Sequence, residues 1–167
     1  RAGILLGKAV LFLGILAFLF LHIQQRLQLD MGHRGTDNIT GFYEEKENSV
    51  EVVFIGASTM FCTVDPLVLY EDYGIASYDF GSSAQPFELS YLFMQEALKH
   101  QRPKVIGLEV ISMFNELDPE DADPLNYGIT DLPFSVEKAA GIADMFRNDK
   151  GAGLSYLIPM VQYKDRW

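Results

Sequence analysis

At 167 residues, 49% hydrophobic and 22% charged, the chain has the length and composition for one domain with a core of its own. Its 23 acidic against 13 basic side chains leave a formal charge of -10, which argues against a nucleic-acid surface built on counterion displacement. Cys62 is the only cysteine, so no intramolecular disulfide can form; beside Met60, Phe61 and Val64 it is expected to be a small core hydrophobe.

The first 23 residues read as a transmembrane signal anchor. Residues 2–23 (AGILLGKAVLFLGILAFLFLHI) carry one charge, Lys8, and as a helix would extend roughly 33 Å, enough for a hydrocarbon core of about 30 Å. Apolar side chains fall on every face, which excludes an amphipathic surface helix. The exit Phe-Leu-Phe-Leu-His-Ile offers no small-x-small cleavage site, and a fully buried soluble helix of this length without a polar face is the weaker alternative. The first expected partner is therefore the lipid bilayer. Arg1 and Lys8 favour a cytoplasmic N-terminus with the folded part extracytoplasmic, although Arg26 and Arg34 reduce the bias. Residues 24–49 are polar, hold three glycines and show no period, so they read as a juxtamembrane linker.

From residue 50 the pattern becomes that of an α/β domain, expected over 50–167. Val50 to Ile55 is a β-branched and aromatic run ended by Gly56, the mark of a buried strand. Asp65-Pro66 predicts a helix start, with Asp65 as N-cap and Gly74 as the stop. Ile75 to Phe80 reads as a second strand before Gly81-Ser82-Ser83. Pro86 to His100 has helical apolar spacing, and Val105 to Ile111 reads as a third strand. This alternation predicts a parallel sheet. Residues 115–134 are expected to be an acidic surface loop; the cluster Glu116, Asp118, Glu120, Asp121 and Asp123 lacks the glycine and final glutamate of a calcium loop, so no metal is implied. Ser135 predicts the cap of a further helix running to Phe146.

Ligands of an open parallel sheet collect at the carboxyl ends of its strands. There the chain places Gly56-Ala57-Ser58, Gly81 to Gln85, and Ser112 to Asn115. Ser58 is either an exposed nucleophile or a helix N-cap; Gly81 is either a turn glycine or a backbone oxyanion donor; the Gln85 amide is a candidate side-chain donor. Glu109, inside the third strand pattern, has an open role.

The stretch from Gly41 to about Asn115, together with the preceding anchor, resembles membrane-anchored members of the SGNH/GDSL hydrolase superfamily, in the envelope branch that looks like the D-alanyl transfer protein of teichoic acid modification. The resemblance implies a three-layer, flavodoxin-like α/β domain. It also implies Ser58 as nucleophile, with Ala57 in place of the usual aspartate, and Gly81 as oxyanion donor. Gln85 would substitute for the third-block asparagine, which is absent here. No cofactor is implied. The partners it implies are a cell-envelope polysaccharide or teichoic acid-like polymer and a membrane acyl-transfer protein. The superfamily's Asp-x-x-His is not found after Ser58: the histidines are His22, His33 and His100, and Asp30-Met31-Gly32-His33 lies upstream. Two expectations follow. The chain is a fragment of a longer serine esterase or O-acyltransferase, or it is a non-catalytic glycan-binding or scaffold domain on the same fold.

Overall fold

The computed structural model describes residues 2–27, 37–114, 122–158 and 161. Helix α1 (Ala2–Leu27) is apolar on all sides. Its Leu5–Ile23 stretch is long and apolar enough to cross a membrane, and none of it is buried inside the protein. A soluble core helix with this composition would be covered by its own domain; here Leu5, Leu6, Phe12 and Phe18 are each about two-thirds exposed.

Helix α2 (Asp37–Glu44) corrects the linker reading. Ile39 and Phe42 are fully buried, and the Phe42 ring stacks on Phe80 at 4.0 Å. Two apolar residues three apart share one helix face, a signal too short to register as a period in a polar stretch. The domain thus includes residues that composition assigned to the linker, whereas 28–36 lie outside the described residues.

The sheet has three parallel strands, β1 (Val52–Ile55), β2 (Ser77–Asp79) and β3 (Val105–Leu108), in the order β2-β1-β3. Between β1 and β2 run α3 (Ser58–Thr63) and α4 (Pro66–Tyr73); between β2 and β3 runs α5 (Phe87–His100). Asp65 caps α4, its Oδ1 accepting from the N–H of Leu67 at 2.9 Å, and Gly74 ends the helix at φ 68, a left-handed conformation that glycine adopts without steric cost.

Alternation along β1 sends Val53 and Ile55 into the core, where they join Phe80 and Leu89, Leu92 and Phe93 of α5. Val52 and Phe54 face the other way, in register with Ser77 and Asp79 of β2. The Phe54 ring lies across Gly107 of β3, where any Cβ would come within 2.6 Å of it. Beyond β3, a 3-10 turn (Ile111–Phe114) follows.

The expected acidic loop is also corrected in part. Helix α6 (Ala122–Ile129) occupies its second half, with Leu125 and Ile129 in the core; 115–121 lie outside the described residues. A short helix of this kind is held by tertiary burial rather than propensity, which explains why a run rich in Asp, Pro and Asn concealed it. Helices α7 (Val136–Met145) and α8 (Lys150–Leu157) pack on each other, and α7 packs on α5. Ser135 caps α7, accepting from the Lys138 N–H at 2.9 Å, and also donates to buried Glu96 of α5 at 2.7 Å, joining the two helices.

If α2 belongs to the core, Phe42→Ala should lower unfolding stability by about 3–5 kcal/mol in a denaturant titration of the micelle-bound chain. A change near zero would return the segment to the status of a linker.

Candidate functional site

In the order β2-β1-β3 the chain leaves the central strand β1 toward β2 and then crosses back past it to β3, and the carboxyl ends of such parallel strands are where α/β sheets open a ligand crevice. The residues after β1 are Gly56, Ala57 and Ser58. They are held from both neighbouring strands.

From the β2 side, Gly81 lies against Gly56. A Cβ on Gly81 would stand 2.0 Å from the Gly56 carbonyl oxygen, so only glycine fits without moving backbone. From the β3 side, the Glu109 carboxylate accepts the Ala57 N–H at 2.5 Å, and the Glu109 N–H donates to the Ile55 carbonyl at 2.9 Å. Glu109 packs so closely that a Cβ on Gly56 would meet both its Cβ and its Oε2 at 2.5 Å. A charge-assisted bond to a backbone amide is among the stronger hydrogen bonds in proteins. Glu109, whose role the strand pattern left open, is thus the clamp across the β1 and β3 ends.

Ser58 is the first residue of α3, and Ala57 occupies the cap position with no side-chain cap bond. The cap reading of Ser58 is therefore not the one the backbone takes. Its side chain is half-buried, and its hydroxyl has no hydrogen-bond partner among the described residues. Gly81 is buried, as is Gln85 at 1% exposure. The Gln85 amide is engaged internally: Oε1 accepts from the Ser82 N–H at 3.0 Å and from its hydroxyl at 3.2 Å, and Nε2 donates to the Ser90 hydroxyl at 2.9 Å. In this arrangement Gln85 shapes the loop that carries Gly81 and ties it to α5. Ser112, on the turn after β3, is buried, and its hydroxyl, like Glu109 Oε1, has no partner among the described residues.

The histidines stand elsewhere. His100 ends α5 at the amino end of the strands, opposite the carboxyl end that carries Ser58: its carbonyl accepts the Asn48 N–H at 3.3 Å, just ahead of β1, and its ring meets Tyr43 edge-on at 4.8 Å. It is half-buried rather than solvated. His22 belongs to α1 and stacks on Phe18. His33 lies outside the described residues, as do Glu116, Asp118, Glu120 and Asp121. Cys62 is exposed, which corrects its expected place in the core: α3 is a short surface helix with no buried residue, so neighbouring apolar letters did not mean burial.

One carboxyl went unnoticed in the sequence. Asp79 closes β2 at 8% exposure, and its Oδ1 has no partner among the described residues. Burial, and then the like charge of Asp65, pushes it up to about 6. The signal was present as a carboxylate between two aromatics in Tyr78-Asp79-Phe80, inside a strand.

No family model matches this chain, and no curated protein or solved structure matches it either.

Two outcomes follow from this geometry. Gly81→Ala should destabilise the fold by about 1–3 kcal/mol, because the new methyl meets backbone rather than a side chain able to swing away; a neutral result in thermal unfolding would contradict the close approach. Asp79 holds its proton more tightly folded than unfolded, so its contribution to stability is present at low pH and is lost as pH rises from about 4 through about 6. Asp79→Asn should therefore raise stability at pH 7 by about 1–3 kcal/mol and flatten that slope; destabilisation at pH 7 would contradict it.

Proposed function

We propose that the chain belongs to a membrane-anchored, extracytoplasmic serine esterase or O-acyltransferase acting on a cell-envelope glycopolymer. The observation that carries this reading is the serine itself. Its hydroxyl is unengaged at the carboxyl end of the central strand, held there by two glycines and a carboxylate clamp. A serine kept only for structure has no need of a backbone approach so close that a methyl group is excluded. The resemblance of the text around Gly56-Ala57-Ser58 and Gly81 to the SGNH/GDSL superfamily adds the reaction class.

In this reading Ser58 Oγ attacks the acyl carbonyl and passes its proton to a base. The carbonyl electron pair moves to oxygen, then collapses to expel the alcohol, which takes a proton from the same base. The acyl-serine left behind is resolved by water or by an acceptor hydroxyl. The N–H groups of Ser58 and Gly81 are free of hydrogen bonds among the described residues and are the oxyanion donors of this scheme. Gln85 positions Gly81 through Ser82 rather than reaching the substrate itself. Neither His22 nor His100 serves as the base, so the proton acceptor is brought to Ser58 from outside the described residues. Arg1 and Lys8 support placing the domain on the outer side, anchored by α1.

A second reading is a non-catalytic glycan-binding or scaffold domain on this fold, favoured by the distance in the fold between His100 and Ser58. Labelling of the membrane-embedded protein with a fluorophosphonate separates the two. The enzyme reading expects covalent label that disappears in Ser58→Ala. Equal label in both proteins, or none in the parent, contradicts it.

A further inference from the structure

A cleft of about 570 Å³ runs beside the outer edge of β2, between α2 on one side and the α3–α4 connection on the other. It is apart from the Ser58 end of α3, and the proposed reaction makes no use of it. Three carboxylate residues line it, Glu45, Asp65 and Asp79, and among the described residues that line it there is no lysine, arginine or histidine. Phe61, Val64, Pro66 and Leu67 supply an apolar wall.

The carboxylates alone would be an ordinary acidic surface. What distinguishes this cleft is its floor. Asp79, nine-tenths buried, and Ser77 one turn of the pleat away both line the cleft, and each has a buried side-chain oxygen without a partner among the described residues. Asp65 and Asp79 also oppose each other electrostatically. A cation between like charges relieves that repulsion and offers donors to the unpaired oxygens, which is the chemistry missing from the floor. A bare metal ion is the poorer occupant: no group of three acidic, histidine or cysteine side chains is close enough to hold one among the described residues, and the apolar wall offers it nothing. A primary ammonium has three donors, needs no fixed coordination shell, and can carry an apolar chain to lie against that wall. The volume is that of a small-molecule pocket.

We propose that this cleft binds a small organic ammonium group, its positive head between Asp65 and Asp79 and its carbon chain along Phe61, Val64 and Leu67. The site goes beyond the proposed acyl transfer and does not depend on it; Ser58→Ala leaves it intact.

The test uses the full chain, isotope-labelled in zwitterionic micelles, with n-butylammonium as the probe and the backbone amides of Ser77 to Asp79 as reporters. Saturable shifts at those amides are expected, weakened at least about tenfold in Asp79→Asn. That variant is expected to fold at least as stably as the parent at neutral pH, so loss of binding will not reflect unfolding. n-Butanol, the neutral isostere of the probe, should leave the amides unmoved, and calcium should not compete. Any of four results overturns the proposal: no saturable shift with n-butylammonium, equal binding of n-butanol, undiminished binding in Asp79→Asn, or calcium displacing the amine from the cleft. None of these results touches Ser58 labelling, so the two readings stand or fall separately.

Discussion

The hydrogen bond from the Ala57 N–H to the Glu109 carboxylate is the constraint on which the strand-end geometry depends. It joins the second residue past β1 to the first residue past β3, across the carboxyl ends of two paired strands. Gly56 must be glycine because Glu109 occupies the space of its side chain, and Gly81 must be glycine because the Gly56 carbonyl occupies the space of its own. The three residues form a single packed unit in which β2, β1 and β3 are locked at one level. Ser58 emerges from that unit at the first position of α3, with its hydroxyl uncommitted. In the acyl-transfer reading proposed above, such a packed unit would hold Ser58 more closely than a loop held only by solvent.

The parts of this arrangement legible in the sequence were those encoded locally. The apolar run before Gly56, the Asp65-Pro66 start and the Ser135 cap each announce an element through neighbours only a few residues away, and the structure has all three. The parallel pairing could be inferred because strands alternated with helices. What stayed hidden depends on contacts distant in sequence. Phe42 is a core residue because Phe80, nearly forty positions on, stacks against it; nothing within its own polar segment says so. α6 is likewise a helix by virtue of where Leu125 and Ile129 are buried. Glu109 is 52 positions from Ala57, so its place in a strand was visible while its purpose was not. Cys62 failed in the opposite direction, because apolar neighbours on a six-residue surface helix do not add up to a core.

Two polar systems in the domain illustrate how burial is managed differently at structural and candidate functional positions. Glu96, nearly inaccessible, is met by Lys99 at 2.7 Å, an ammonium it shares with Glu137, and by the Ser135 hydroxyl at 2.7 Å, so its carboxylate is partnered and ties α5 to α7. Asp79, Glu109 and Ser112 each keep a buried oxygen without a partner among the described residues, and all three lie on or just past the strands that frame Ser58 and the β2 cleft. Unsatisfied polar groups are costly to a fold and concentrate where chemistry or binding requires them. α1, long and apolar enough to cross a membrane, has none of its Leu5–Ile23 stretch buried in this core.

The most direct measurement of the central claim is the Ala57 amide itself, followed by nuclear magnetic resonance in the intact chain and in Glu109→Ala. A short bond to a carboxylate predicts a strongly downfield amide proton, slow hydrogen exchange, and loss of both properties in the variant. An Ala57 amide that exchanges as rapidly as those of exposed loops, with the same shift in both proteins, would contradict the clamp and with it the account of how Ser58 is presented.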